Sequence, residues 1–306
     1  MKALLLINPN SGPKSIRKEI DQAEKLLIEN GYEIKKIISR SSNEARNAVQ
    51  KAILQNFDLI IVAGGDGTIN TVSNVLANTN ICLAIIPTGT ANVLANELKI
   101  PTRKLFKSNY IHNATKLIIE NKQKVIDLGK VSFKNGESKY FVMWCGIGLD
   151  AMLTGAKKIP PEKRAGRIFN YLKWVFDIFK ISLKFSGSKI SYKIDNKSHS
   201  ENALQLLISN GSIYANYFKT SDDAKIDDSV LEYMIIKNRN KLSLAFLIIK
   251  SIFSKKLYSD LNGKLKSIYI DSQVPLPIHV DAEKYGNTPI KIEIIPKSLG
   301  VIVAEN

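Results

Sequence analysis

The stretch IIVAGGDGTINTV, residues 60–72, runs from an apolar segment through glycines into polar residues with helical spacing. A short apolar run bounded by glycine is typical of a buried strand, and the residues after it fit a helix. The glycines free the backbone of side chains where the strand gives way to the helix. Because backbone amides and a helix N-terminus meet there, the stretch predicts an anion-binding turn in an α/β fold.

The first hundred residues repeat this strand-to-helix pattern. Apolar, strand-like segments precede helix-like segments four times; they read ALLLINP, EIKKIIS, FDLIIVAGG and ICLAIIPTG. Such alternation predicts a parallel sheet with helices on both faces. Ligands of these sheets bind at the carboxyl ends of the strands. We therefore expect the turns NPNSG, GGDGT and PTGTAN to line one site.

The pattern changes after Pro101. A helix is predicted near 108–121, and short alternating segments with frequent turn residues follow, which is typical of an antiparallel sandwich. Helix-like inserts interrupt these segments at about 164–181 and 241–257. The sequence thus predicts an α/β domain over 1–125 and an antiparallel β-sandwich domain over 126–306.

The amino-acid composition indicates which partners and which cellular compartment to expect. The 306 residues carry a net charge of +16, supplied mostly by lysine. Nucleic-acid readers favour the arginine fork, so we expect no nucleic-acid partner. An anionic membrane surface fits better, bound peripherally and reversibly, because basic residues near it contribute about 1 kcal/mol each. Two cysteines and no long apolar run predict a cytoplasmic protein without disulfides or a membrane span.

Asp66 and Thr68 give the glycine turn its chemistry. Phosphate would repel the Asp66 carboxylate unless a cation lies between them, which indicates Mg²⁺ on a nucleoside triphosphate. Thr68 is expected to cap the helix or to donate its hydroxyl. A tight β–α turn with Asp66 as a helix cap remains the alternative. Neither a dinucleotide G-x-G-x-x-G turn nor a P-loop is present.

Several spaced motifs carry a family resemblance. In chain order they read NPNSG, GGDGTIN, PTGTANVLA, CGIGLDA, LISNGSIYANYFKTSDDAKIDDSVLEYMII and PIHVDAE. Together they resemble the diacylglycerol kinase catalytic-domain family, which includes soluble bacterial lipid kinases. The resemblance implies an ATP- and Mg²⁺-dependent lipid kinase with its active site in the cleft between the two domains. GGDGT alone is shared with NAD kinases, so the motifs in the second half of the chain are the ones that distinguish a lipid kinase from an NAD kinase.

The resemblance also implies roles for individual residues. Glu283 of PIHVDAE would accept the proton of the lipid hydroxyl, and Asp66 would be the second catalytic carboxylate. A family Mg²⁺ site would lie on the side chain of Asp228 and the carbonyls of Lys225 and Val230. The predicted ATP-binding residues are Asn8, Ser39, Gly64, Gly65, Asp66, Gly67, Thr68, Ile69, Asn70 and Thr90. We predict PIHVDAE to be one strand, with His279, Asp281 and Glu283 on the same face.

Three departures from the family pattern leave alternatives open. Thr71 stands where a glutamate is usual, and Ala282 and Ser229 stand where glycine is usual. If the backbone at Ala282 is left-handed, its side chain destabilises the turn. The alternatives are an NAD kinase-like phosphotransferase and a catalytically silent lipid-binding protein. The expected partners are ATP and a lipid at a membrane surface, with a homodimer left open.

Overall fold

The computed structural model describes residues 1–13, 16–103, 109–154, 185–194, 197–214 and 218–304. Packing divides the chain into one unit of Met1–Leu128 with Ile295–Asn306, and a second of Gly129–Ile294. The sequence predicts a boundary near 125 and assigns the whole C-terminal half to the second domain. In the structure the chain divides after Leu128, and its last residues return to the first unit. The helix predicted over 164–181 lies outside the described residues.

The first unit is built on parallel strands that alternate with helices. Its sheet has the order β2–β1–β3–β4, and every pair in it is parallel, as the sequence predicts. The elements are β1 (Lys2–Ile7), α1 (Arg17–Glu29), β2 (Glu33–Ile38), α2 (Ser42–Leu54), β3 (Leu59–Gly64), α3 (Asp66–Leu76), β4 (Cys82–Pro87), α4 (Val93–Glu97) and α5 (Tyr110–Glu120). Val301, near the C-terminus, pairs in parallel with Leu83 of β4.

The apolar runs explain this sheet. Every residue of β3 and of β4 is buried, because helices cover both faces of the central strands. The chain moves from β1 outward to β2 and then to β3 on the other side of β1. This reversal of strand order opens a crevice at the carboxyl ends of β1 and β3, where ligands of such sheets bind. NPNSG and GGDGT follow these two strands.

The second unit is dominated by antiparallel strands, as predicted. Its elements, with two strands shared with the first unit, are β5 (Gln123–Phe133), β6 (Ser138–Phe141), β7 (Trp144–Gly148), α6 (Leu149–Thr154), β8 (Ser188–Ile194), β9 (Lys197–Ser209), β10 (Ile213–Tyr214), β11 (Phe218–Lys219), β12 (Leu231–Lys237), α7 (Lys241–Ser254), β13 (Leu261–Leu265), β14 (Ser267–Ser272), β15 (Pro277–Val280), β16 (Glu283–Asn287) and β17 (Ile290–Ile302). The main path runs β16–β15–β7–β9–β8–β14–β17. None of the helices within the described ranges is long and apolar enough to cross a membrane.

The segment PIHVDAE departs from its predicted form. It is a hairpin, in which Val280 of β15 pairs with Glu283 of β16. Asp281 and Ala282 make the two-residue turn with φ of 45° and 64°, the left-handed pair that a type I′ turn requires. His279, Asp281 and Glu283 therefore do not lie along one strand face, and that prediction is wrong. The primed turn matches the twist of paired strands, so it joins them tightly although neither turn residue is glycine.

Candidate active site

The predicted nucleotide residues gather at one edge of the first unit. Asn8 follows β1, Ser39 follows β2, Gly64–Asn70 span the junction of β3 with α3, and Thr90 follows β4. Because the strands are parallel, these four segments lie at the same end of the sheet. The structure thus brings together, at the edge that the strand order favours for a ligand, the residues that the sequence selects for ATP.

Close contact between the loops explains the glycines. A Cβ atom on Gly89 would lie 2.6 Å from Cα of Gly65, and one on Gly12 would lie 2.6 Å from the carbonyl oxygen of Thr88. Real Cβ atoms do not come so close to backbone atoms. The loops after β1, β3 and β4 therefore touch through their main chains. The sequence predicts glycines that leave room for a phosphate. In the structure, Gly65 lies against Gly89 and Gly12 against Thr88, so these glycines leave room for the neighbouring loops.

A side-chain hydrogen bond joins the loop after β1 to the first turn of α3. The Asn8 carboxamide donates to the Thr68 hydroxyl at 2.8 Å and accepts from the Asn10 amide at 3.0 Å. Gly65 is the N-cap of α3, and its carbonyl accepts from the amides of Thr68 and Ile69. Thr68 thus bonds to Asn8 in addition to lying in the first turn of α3, where amides and the helix dipole favour an anion.

Asp66 has a role that the sequence does not reveal. Its carboxylate accepts from the backbone amides of Val93 at 2.7 Å and Asn92 at 2.9 Å, at the start of α4. Burial raises the pKa of the Asp66 carboxyl, and these amides oppose the rise. Asn92 has a left-handed backbone, φ 51°, which the two bonds help to hold. Asp66 is therefore a cap, as in the alternative above, but of α4; its contact with Mg²⁺ stays a prediction.

Other predicted ATP residues have side chains that bond within the protein. The Ser39 hydroxyl donates to the carbonyl of Ser41 at 2.8 Å, and the Asn70 carboxamide oxygen accepts from Asn74 at 2.8 Å. Ile69 is buried in the core, whereas Thr90 is exposed. A ligand at this edge would therefore meet Thr90 directly, and the buried three shape the loops behind it.

In the second unit, Asp281 fixes the tip of the β15–β16 hairpin. Its carboxylate accepts from three successive amides, those of Val142 at 2.7 Å, Met143 at 2.9 Å and Trp144 at 3.0 Å. Its own amide donates to the carbonyl of Trp144. Burial raises the pKa of Asp281 to about 6, although the three amides favour its charged form. These four bonds tie the turn to the start of β7.

Glu283, the predicted proton acceptor, begins β16 beside a lysine. Its carboxylate lies 2.6 Å from the Lys139 ammonium, and the Glu283 side chain is 43% exposed. Lys139 also lies over the ring of Tyr285, 4.8 Å from its centroid. The carboxylate is thus held at the hairpin tip and remains open to solvent. The lysine beside Glu283 is a feature that the sequence alone does not reveal.

A buried polar network also lies behind the hairpin. The His279 ring nitrogen Nε2 lies 2.6 Å from the carboxylate of Asp150, which also accepts from the Tyr214 hydroxyl. The other nitrogen, Nδ1, accepts from the Ala282 amide at 3.2 Å, so the ring proton is on Nε2 and points to Asp150. Burial favours a raised pKa for Asp150, but His279 and Tyr214 outweigh it and lower the pKa.

The motif CGIGLDA carries the signal for this network, although sequence reasoning did not assign its aspartate. A Cβ atom on Gly146 would lie 2.1 Å from His279 Nε2 and 2.3 Å from Asp150 Oδ2. Gly146 is therefore glycine because the pair occupies that space. A glycine and an aspartate four residues apart, with a histidine in a distant motif, were the available indication.

The predicted metal residues carry a competing cation. Asp228 Oδ2 lies 3.3 Å from the Lys264 ammonium, and Lys264 lies 3.8 Å from Glu232. No group of three His, Cys, Asp or Glu side chains is placed to hold a metal in the described parts of the chain. The predicted site would use only one of these side chains, the Asp228 carboxylate, and the Lys264 ammonium would compete with a cation for its Oδ2. The assignment of Mg²⁺ to Asp228, Lys225 and Val230 stays a prediction, and no step below depends on it.

Comparison with protein families accounts for nearly the whole chain. Residues 2–131 match the model of the diacylglycerol kinase catalytic domain. Residues 148–303 match the model of the YegS C-terminal NAD kinase beta sandwich-like domain. The antiparallel strands of the second unit therefore belong to a β-sandwich, and the predicted fold class is confirmed.

Individual relatives agree with the family models. A diacylglycerol kinase of Bacillus subtilis (strain 168) is 29% identical over 292 residues, covering 94% of this chain and 91% of that protein. A diacylglycerol kinase of Staphylococcus aureus (strain MRSA252) is 26% identical, with 94% and 88% covered. A solved structure of a diacylglycerol kinase from Bacillus anthracis str. Sterne superimposes with a TM-score of 0.73 at 23% identity, covering 99% of this chain and 97% of that one. At that identity the superposition establishes the fold.

Proposed function

Because the chain belongs to the diacylglycerol kinase catalytic-domain family, we propose that it transfers the γ-phosphoryl group of ATP to a lipid hydroxyl. Diacylglycerol is the first acceptor to test, because the curated relatives are diacylglycerol kinases. ATP would arrive as its Mg²⁺ complex, so that the metal is part of the substrate. An anionic membrane would supply the lipid.

The carboxyl edge of the parallel sheet supports a nucleotide site. Three loops meet there through their main chains, and the first turn of α3 has amides that favour an anion. Asn8 and Thr68 hold two of the loops together, and Asp66 holds the third. Phosphoryl transfer depends mostly on positioning and charge stabilisation, which a preformed set of loops is suited to provide.

The observation that carries the proposal is the hairpin that holds Glu283. Asp281 binds three amides, His279 accepts from the Ala282 amide, and Glu283 follows directly with its carboxylate partly exposed. A proton acceptor must be both fixed and accessible to the hydroxyl it serves. This arrangement is more than a solvated strand needs, and it favours a catalytic over a silent protein.

The proposed step transfers the γ-phosphoryl group and moves one proton. The lipid hydroxyl oxygen forms a bond to the γ-phosphorus while the bond from that phosphorus to the bridging oxygen of ADP breaks. The hydroxyl proton passes to the Glu283 carboxylate, which gives up its ion pair with Lys139 as it is protonated and leaves that ammonium to solvent and the transferred phosphate. That the sheet edge and the hairpin meet in one cleft stays a prediction of the family resemblance.

Glu283→Gln tests the assignment. The variant keeps the size of the side chain and removes the proton acceptor, so turnover should fall by about 10²- to 10⁴-fold while ATP affinity changes little. Glu293→Gln is the matched control, because Glu293 also makes a 2.6 Å ion pair with a lysine, Lys291. Wild-type turnover in Glu283→Gln, or a defect confined to ATP binding, would refute the proposal.

A panel of phosphate acceptors distinguishes a lipid kinase from an NAD kinase-like enzyme and from a catalytically silent protein. The protein is incubated with labelled ATP and, in separate reactions, diacylglycerol, related lipids with a free hydroxyl, or NAD. NAD is included because the family that residues 148–303 match is named for NAD kinase. Transfer to NAD alone would replace the lipid kinase by the NAD kinase-like alternative. Binding of lipid without transfer to any acceptor would favour a silent protein.

A further inference from the structure

Helix α7 presents a continuous apolar stripe to solvent. Leu242 and Phe253 are each 85% exposed, Phe246 is 69% exposed and Ile249 is 51% exposed. Their spacing of four, three and four residues places them on one face of the helix. We call these four residues the outer stripe of α7.

The opposite face of α7 attaches the helix to its unit. Leu244 is buried and Leu247 is partly buried, and both pack in a cluster with Leu149, Leu204 and Ile236. Ser251, one turn further, is buried as well. The helix is therefore anchored by one face, and the outer stripe is a separate surface that this packing leaves exposed.

Basic residues flank the stripe. The sequence from Lys241 to Ser259 has no aspartate or glutamate and contains four lysines. Helical spacing places Lys241 and Lys250 on either side of the stripe. The Lys250 ammonium lies over the ring of Tyr258, 4.1 Å from its centroid, which holds this charge beside the helix. Lys256, beyond the helix, is engaged by Asp222.

We propose that the outer stripe of α7 inserts into the interfacial region of an anionic membrane, with the flanking lysines on the lipid phosphates. An apolar helix face bordered by lysines is the pattern of interfacial helices. The lysines on both sides of the stripe favour an anionic surface over the same face of a second copy, which would bring lysines of like charge together. The inference rests on the proposed function in one respect: the membrane is taken to hold the lipid substrate.

The test compares two leucines of nearly equal exposure on different helices. Leu242 on the stripe is 85% exposed and Leu54 on α2 is 83% exposed. Partition is measured by co-sedimentation with vesicles of phosphatidylglycerol and phosphatidylcholine, without ATP. Leu242→Ser should weaken it about fivefold or more, and Leu54→Ser should leave it unchanged. The double variant Phe246→Ser/Phe253→Ser should weaken it about tenfold for each phenylalanine removed.

Charge is tested on the same vesicles. Lys241→Gln/Lys250→Gln should weaken partition about fivefold per lysine at low salt, and pure phosphatidylcholine vesicles should bind poorly. Equal partition of wild type and the double phenylalanine variant would overturn the inference. So would variants that convert a wild-type dimer to monomers without changing partition, since the stripe would then bind a second copy. If the double phenylalanine variant melts several degrees lower but binds vesicles like wild type, the stripe is covered by another part of the protein, and the inference is overturned.

Kinase assays separate membrane docking from catalysis. A short-chain diacylglycerol dissolved as monomers does not require membrane binding, so the double phenylalanine variant should phosphorylate it at the wild-type rate and lose activity on vesicles. If wild type phosphorylates no acceptor but its vesicle binding still depends on the stripe, the proposed function fails and the docking surface stands. Loss of activity on monomers as well would assign the stripe to the catalytic fold and refute the docking role.

Discussion

Ala282→Gly should stabilise the protein, which is unusual for a substitution that removes a side chain. Ala282 has φ 64° in the turn between β15 and β16. A left-handed backbone costs a residue with a Cβ roughly 1–2 kcal/mol, and glycine avoids that strain. Glycine also has more freedom to lose on folding, about 0.4–1 kcal/mol. The difference is a net gain of about 0.5–1 kcal/mol in the free energy of unfolding.

Urea unfolding followed by tryptophan fluorescence measures this gain. Trp144 is a suitable reporter, because its carbonyl and amide both bond to Asp281 in the same turn. Ala77→Gly is the control: Ala77 has φ −52°, so glycine there relieves no strain and should destabilise by about 0.4–1 kcal/mol. Ala282→Val should destabilise, since a β-branched residue tolerates left-handed φ poorly.

Kinase turnover should depend on the conformation of the turn at Ala282. If the turn positions Glu283, Ala282→Gly should keep full turnover, and Ala282→Val should reduce turnover more than ATP affinity. Equal destabilisation by Ala282→Gly and Ala77→Gly would contradict a left-handed backbone at Ala282 in solution.

Three further predictions concern single side chains. Asp66→Asn should lower both ATP affinity and stability, the latter by about 1–3 kcal/mol in urea unfolding, because one amide at the start of α4 loses its acceptor; unchanged stability would contradict the cap. The folded pKa of Asp281, about 6, lies above its usual value, so its stabilising contribution is present below about pH 4 and lost as pH rises through 6. Asp281→Asn should flatten that loss of roughly 2 kcal/mol in unfolding measured from pH 4 to 7; an identical pH slope would contradict it. Lys264→Met frees Asp228 of its ammonium partner, so Mg²⁺ without ATP should raise the melting temperature of the variant more than that of wild type; an equal response would mean that Lys264 does not compete with a cation.

The sequence predicts the first unit well because its signals are local. The buried run of β3 and the glycines that follow it lie within a few residues, and helix and strand periods alternate without interruption. The return of residues 295–306 to the first unit is different in kind. It depends on a pairing of Val301 with Leu83, and no local pattern distinguishes that strand end from its neighbours.

The site was only partly predictable for the same reason. Asp66 and Glu283 are visible as motif residues, but the partners that define their surroundings are distant in sequence. Asp66 caps α4 across the next strand, and His279 meets Asp150 from another motif altogether. The hairpin is the clearest failure, because alternation in PIHVDAE predicts a strand, whereas the three amides bound by Asp281 hold a left-handed turn that local propensity disfavours.

Two of the three departures from the family pattern add a side chain and leave a left-handed backbone in place. Ala282 and Ser229, at positions where glycine is usual, both have left-handed backbones, with φ of 64° and 62°. Thr71, in place of a glutamate, donates its hydroxyl to the carbonyl of Gly67 and so stays within its own helix. A protein free of catalytic constraint could relieve left-handed strain at an alanine by lengthening or opening the turn. Here the strain is retained, because the carboxylate of Asp281, itself a turn residue, binds the amides of residues 142–144, and His279 accepts from the Ala282 amide next to Glu283. Strain that is maintained by dedicated contacts beside a partly exposed carboxylate is more consistent with a working site than with a decaying one.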